Sequence, residues 1–297
     1  MPNLAAISQR LHNVVQTQNN PVTTHLFEQL EKQQFKGQFS SDFIAECQQE
    51  FGLSTIELAL HCVPLSACYA YVPVSEFYVG AVAIGQSGTF YFGANQEYSA
   101  VAIQQTVHAE QSAISHAWLA GETAITDMVV NTTPCGHCRQ FMNELNTAEN
   151  LQIHLPHSQN NLLHSYLPDS FGPKNLAIEK VLFDPQNHPV TVRGDLLTQT
   201  AIQQAAQSYA PYSGAISAVA IQVGEQILAG RYAENAAFNP SFLPLQSAIN
   251  YQRLLGLSDQ KVSRVVFAER KGKSSHLAIT QALCRSHFGL ELEVIEI

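Results

Sequence analysis

The sequence predicts an α/β fold in which one layered domain occurs twice behind a short helical segment, and three observations lead there. Residues 81–155 read as strand, turn, strand, helix, strand, helix, strand, the order of an α/β layered domain. Ala218-Val219-Ala220-Ile221 then repeats Ala81-Val82-Ala83-Ile84, with Gly230 answering Gly93, Glu234 answering Glu97, and Gln246-Ser247-Ala248-Ile249 answering Gln111-Ser112-Ala113-Ile114. Ahead of both copies, residues 1–50 space their apolar side chains at helical intervals.

Taken in order, Ile7, Leu11, Val14 and Val15 mark a first helix and Leu26, Leu30 and Phe35 a second, separated by Asn19-Asn20-Pro21. Ser40-Ser41-Asp42 supplies the cap of a third, which contains Phe43, Ile44 and Cys47. Residues 56–68 form another helix, on which His61 reads as structural. Strands at 81–84 and 89–92 flank the turn Gly85-Gln86-Ser87-Gly88. A helix carrying His108 and Glu110 ends near Gly121, and residues 127–130 are the next strand. Thr133 is a good N-cap and Pro134 suits a first turn, so Cys135 and Cys138 are expected in the first turn of a helix that continues through Phe141 and Leu145. Residues 156–190, rich in Pro, Asn, Ser and His, read as a connector packed on the core, and the irregularly spaced His154, His157 and His164 as surface residues. The expected units are therefore a helical domain over 1–50, a domain bearing the chemistry over 51–155, the connector over 156–190, and a degenerate copy over 191–297.

A hydrophobic content of 45% against 13% charged residues gives ample material for a core. The net charge of −9, broken only by the short run Arg270-Lys271-Gly272-Lys273, argues against a nucleic-acid partner and for a small, weakly charged substrate. No apolar run reaches the ~20 residues of a membrane span, and Met1-Pro2-Asn3-Leu4 does not begin a secretory leader. A cytoplasmic location is the expectation. Cys47, Cys62, Cys68 and Cys284 then read as core packing, not as a disulfide framework.

The remaining cysteines carry the chemistry. His108-Ala109-Glu110 is followed by Pro134-Cys135-Gly136-His137-Cys138. One imidazole and two thiolates occupy three corners of a tetrahedral zinc and leave the fourth for water, the plan of a catalytic site. Glu110 is placed to move protons to and from that water. His137, between the cysteines, points around the helix away from them and is not a ligand. Two alternatives stay open on the residues alone: a thiol–disulfide oxidoreductase using Cys135 and Cys138, and a zinc that stabilises a binding module without catalysis. The second copy has Leu243 and Leu245 where the first has His108 and Glu110, so one zinc per chain is expected.

At these residues the sequence resembles the zinc-dependent deaminases of nucleobases, with their H-x-E and P-C-x-x-C signature, and among them the long, homodimeric bacterial form of the cytidine deaminase family. Asn95-x-Glu97, Leu167-Pro168-x-x-Phe171-Gly172-Pro173 and the ligand-free repeat extend the likeness over the whole chain. The resemblance implies a duplicated three-layer α/β/α domain and hydrolysis of cytidine and 2'-deoxycytidine, with a related deaminase of another nucleobase substrate as the alternative. It further implies that Asn95 and Glu97 hold the ribose, that Phe77 contacts the pyrimidine face, and that Ala109 binds the base edge through its backbone. Phe171 would line the pocket, and Phe238 would reach the partner subunit's site in a homodimer.

Overall fold

The computed structural model describes residues 3–297. Helices α1 (Leu4–Gln18), α2 (Pro21–Lys32) and α3 (Ser41–Phe51) begin at Asn3, Asn20 and Ser40, whose side chains each accept a bond from a first-turn backbone N–H. Their apolar faces bury Ile7, Leu11, Leu26 and Leu30 in one cluster with α4 (Thr55–Ala67) and with Val82, Ile84, Phe90 and Phe92 of the first sheet. Between α2 and α3, the two-residue strand β1 (Gln38–Phe39) joins the edge of that sheet.

The first half continues with β2 (Gly80–Gly85), β3 (Phe90–Ala94), α5 (Ala109–Leu119), β4 (Ile125–Val130), α6 (Gly136–Met142) and β5 (Gln152–Leu155). The stretch expected as a plain connector adds a sixth strand, β6 (Ser158–Leu162), antiparallel to β5, and the short helix α7 (Leu163–Tyr166). The sheet order is β1-β3-β2-β4-β5-β6, with β4 and β5 parallel. The second half runs α8 (Leu196–Ala206), β7 (Ser217–Val223), β8 (Gln226–Arg231), α9 (Pro244–Leu254), β9 (Val262–Glu269), α10 (Leu277–Phe288) and β10 (Glu293–Glu296). Its sheet order, β10-β9-β7-β8 with β9 and β10 parallel, repeats β5-β4-β2-β3 of the first. The fold is thus the duplicated α/β arrangement the sequence predicts.

The halves meet where α5 packs on α9. Ser115 Oγ and Ser247 Oγ lie 2.9 Å apart, Asn250 Nδ2 donates to Ser112 O at 3.0 Å, and a single apolar cluster runs through both halves. Gly93 and Gly230 hold equivalent places in this arrangement. A Cβ on Gly93 would come within 2.2 Å of Ala113 N in α5, and one on Gly230 within 2.2 Å of Ala248 N in α9.

These glycines correct the sequence repeat by one position. Gly93 pairs with Ala81, but Gly230 pairs with Val219, so Val219 and not Ala218 stands in the place of Ala81. A one-residue slip exchanges the two faces of a strand. Ala81 and Ala83 therefore share the inter-half core with Val219 and Ile221, while Ala218 and Ala220 pack on the other face with Leu197 and Ala201 of α8. A short run of apolar residues buried on both faces reads equally well in either phase.

Candidate metal centre and active site

Strand β4 ends at Val130, and the chain turns through Thr132, Thr133 and Pro134 into α6. The cap differs from the expectation: Cys135, with extended φ −71° and ψ 168°, is itself the N-cap, and Leu145 lies past the end of the helix at Met142. Pro134 precedes the cap, where its missing N–H costs no bond. His108 is likewise the N-cap of α5 and not a residue within it (φ −88°, ψ 154°). Two helix N-termini converge, and Cys138 sits in the first turn of α6. Their positive ends favour a negatively charged donor set.

His108 Nδ1 lies 3.5 Å from Cys135 Sγ, and the two Sγ atoms are 3.6 Å apart. Zn–S bonds of about 2.3 Å and Zn–N bonds of about 2.0–2.1 Å at tetrahedral angles give edges of about 3.8 and 3.6 Å, which these two distances match, and all three donors lie within 4.8 Å of one another. They form the one His/Cys/Asp/Glu cluster among the described residues that could hold a metal ion. Glu110 Oε2 is 3.2 Å from Cys138 Sγ, and the carboxyl is almost fully buried.

The ionisation of these groups follows from their packing. Cys135 is driven down to about 3, chiefly by its contact with Cys138 and then by His108, with burial opposing. Cys138 rises because of that same contact and because it is buried beside Glu110. Burial alone would lower His108, but its contact with Cys135 outweighs this and raises it. Burial raises Glu110, against a backbone hydrogen bond and the Cys138 contact, so it holds a proton more readily than an ordinary carboxylate.

A cavity of about 350 Å³ opens beside the cluster. It is lined by Phe77, Asn95, Glu97, His108, Ala109, Glu110, Cys135 and Cys138, all singled out by sequence, and also by Ser75, Val79, Thr106 and Val107, which no motif marked. Glu97 Oε2 accepts from Val74 N (2.8 Å) and Ser75 N (3.0 Å), and Oε1 accepts from the Ser75 hydroxyl. Asn95 Oδ1 accepts from Val79 N (3.0 Å) and its Nδ2 donates to Phe77 O (2.8 Å). Both side chains thus hold the loop that presents Phe77, which is more than half exposed. Each keeps capacity: a carboxylate offers about four acceptor sites and an amide two N–H groups. Phe171 and Phe238 stand outside this cavity in the single chain, both exposed.

One histidine has a neighbour that no motif marked and another departs from its expected place. The His137 ring stacks on His108 with centroids 4.4 Å apart and planes at 16°. His154 is not a surface residue but is fully buried, bonded to Asp127 Oδ1 at 2.8 Å and to Asn160 N at 3.1 Å. Cys47, Cys62, Cys68 and Cys284 are buried and free, as expected.

A buried carboxyl against an N,S,S donor set at two helix N-termini has the chemistry of a hydrolytic metal centre, here on a duplicated α/β fold. Comparison with known proteins agrees. Residues 53–153 match a family model described as the cytidine and deoxycytidylate deaminase zinc-binding region, and residues 163–281 match a second model of the same description. A cytidine deaminase of Actinobacillus pleuropneumoniae serotype 5b (strain L20) is 67% identical, covering 100% of both chains. One of Haemophilus ducreyi is 61% identical over 100% of this chain and 99% of its own. A crystal structure of cytidine deaminase from Mycobacterium tuberculosis is 31% identical over 36% of this chain and 89% of that chain, with a TM-score of 0.33. The chain belongs to the cytidine and deoxycytidylate deaminase family, an enzyme family whose metal is zinc.

Proposed function

We propose that this chain hydrolyses cytidine and 2'-deoxycytidine to uridine and 2'-deoxyuridine, releasing ammonia, in pyrimidine salvage. The observation that carries the reading is the buried Glu110 carboxyl, 3.2 Å from Cys138 Sγ and open to the cavity that Phe77, Asn95 and Glu97 line. His108, Cys135 and Cys138 hold the zinc, which when bound supplies a water acidic enough to attack at neutral pH. Glu110 takes a proton from the attacking water, delivers it to ring N3 as the C4–O bond forms, and carries the next proton to the departing amine. Phe77 lies on the pyrimidine face, and the Ala109 backbone meets the base edge. The acceptor left on Glu97 and the N–H left on Asn95 suit ribose hydroxyls, which favours a nucleoside over a free base. A thiol–disulfide exchanger would have no use for Glu110 against the thiol pair.

The zinc domain spans 51–155, and residues 191–297 form its degenerate copy behind the connector at 156–190, with the helical domain over 1–50. Thiolate ligands and four further free cysteines suit a reducing, cytoplasmic setting. Phe238, at φ +57° on the loop before α9 and 62% exposed, suits insertion into the partner subunit's site in a homodimer, where Phe171 joins the pocket wall. Light scattering on the purified protein tests the dimer.

The decisive measurement pairs loss of cytidine absorbance and ammonia release with zinc stoichiometry. One zinc per chain is expected. Glu110→Ala should lower turnover by at least about a hundredfold to ten-thousandfold, the range for a removed general acid–base, while keeping its zinc. Normal turnover in that variant would overturn the mechanism.

A further inference from the structure

The packing of α5 on α9 is reciprocal, and the place where the reciprocity breaks is next to the metal centre. Gln111 Nε2 donates to Pro240 O at 2.7 Å, and its counterpart Gln246 donates from Nε2 to Gln105 O at 2.6 Å. The amide oxygens part company. Gln246 Oε1 turns back to accept Leu243 N at 2.9 Å, which caps its own helix. Gln111 Oε1 is instead 3.0 Å from His137 Nε2. A proline carbonyl can only accept, so the Gln111 NH₂ must face Pro240 and its oxygen must face the ring, which places a hydrogen on His137 Nε2. His137, so held, lies nearly parallel on His108. By position from the N-cap, the residue in α10 that corresponds to His137 is Ala278, which has no ring to offer.

We infer that His137 and Gln111 are positioning residues that lock the ring plane of His108, and that the degenerate half anchors them through Pro240. The inference rests on the reading of His108 as a zinc ligand. The chain of contacts runs from the Pro240 carbonyl through the buried Gln111 amide to His137, and from the His137 face to His108. A ligand ring whose plane is fixed before the metal arrives presents Nδ1 toward the thiol pair in one orientation, and groups that orient a ligand in this way typically change metal affinity by about 10–100-fold when removed.

The test compares zinc release to a chelator and the visible absorption of the cobalt-substituted protein in Gln111→Ala, His137→Ala, His137→Phe and Gln246→Ala. Gln246→Ala removes the matching bond that runs from the degenerate half to Gln105 and serves as the reference for a purely structural role. Gln111→Ala and His137→Ala are expected to release zinc about 10–100-fold faster, to shift the cobalt d–d bands, and to lower kcat more than KM changes. His137→Phe keeps the stacked face and should recover part of the loss; Gln246→Ala should release zinc at the parent rate. Parent-like release and cobalt spectra in Gln111→Ala and His137→Ala would overturn the brace, as would equal acceleration in Gln246→Ala. The underlying ligand reading fails separately: a parent protein that purifies without zinc, or takes up cobalt without thiolate charge-transfer bands, has no metal site to brace.

Discussion

The two halves of this chain place the same elements in the same order, yet among the described residues only the first carries a His/Cys cluster that could hold a metal ion. His108 and Leu243 are both helix N-caps, with backbone angles within about ten degrees of each other. The chemistry therefore lies in the side chains and not in the path of the backbone. Both halves keep the features that hold the fold: the glycine pressed on a helix, the glutamate bound to two loop N–H groups, and the glutamine crossing between α5 and α9. In the degenerate half the start of α10 is tied up by its own contacts. His276, the N-cap of α10, turns its Nδ1 to Ser217 Oγ at 2.9 Å, its N–H donates to Glu269 Oε1 at 2.6 Å, and the ring packs on Tyr232 with centroids 3.9 Å apart. The difference teaches that a buried carboxyl is kept where N–H groups satisfy it, as at Glu234, while the position matching Glu110 is apolar in the half that lacks the donor cluster.

The strongest way to break the comparison is to restore the lost groups. Leu245→Glu puts a carboxyl at a fully buried position without a cationic or metal partner, and should cost about 3–5 kcal/mol in denaturant unfolding. Adding Leu243→His should leave zinc at one per chain, because Ile279 stands at the position of Cys138 and His276 is engaged with Ser217 and Glu269. A second zinc in that double variant would show the degenerate half to be closer to a metal site than its packing indicates.

The glycine pair sharpens the comparison at intermediate size. Gly93→Ala and Gly230→Ala each force a Cβ into helix backbone and should each destabilise by about 1–3 kcal/mol. Gly93→Ala also pushes on α5, which carries Glu110, so it should lower turnover as well, whereas Gly230→Ala should change the melting temperature alone. Matching activity losses in the two variants, read from initial rates, would mean that the halves are more tightly coupled than this.

The smallest effect concerns the loop clamps. Hydrogen bonds from Ser75 and Val74 outweigh burial and hold the Glu97 carboxyl below its usual value. Its stabilising contribution is then whole above the unfolded value of about 4.3 and fades as pH falls through the lower folded value. Glu97→Gln should cost about 1 kcal/mol at neutral pH, and the gap to the parent protein should close as pH falls from about 5 toward 3. A gap in urea unfolding that does not change with pH would remove the clamp from the account. Glu234→Gln, which loses the same kind of bonds to Tyr212 N and Ser213 N, should cost a similar amount at neutral pH.

Much of the site was legible because metal chemistry admits few side chains. His108, Cys135, Cys138 and Glu110 stand in a spacing that a strand-to-helix turn brings together, and the second half could be read as ligand-free from Leu243 and Leu245 alone. The lining residues Ser75, Val79, Thr106 and Val107 carried no signal, since small and β-branched residues in loops serve many purposes. The stacking of His137 on His108 had no sequence signal, because a helical wheel describes one helix, while that ring meets Gln111 of another. His154 was misjudged for a similar reason, its burial depending on Asp127 from the neighbouring strand.

By itself the sequence determined the α/β class, the duplication, the candidate donor set and the absence of its counterparts at Leu243 and Leu245, because residue type and local spacing suffice for each. Only the tertiary structure decided the phase of the repeated strands, the extra strand β6, the cap at Cys135, and the stacking of His137 on His108. Each of these depends on which atoms from distant parts of the chain compete for the same space and the same hydrogen bonds, and that competition is settled only when α5, α6 and α9 are packed together.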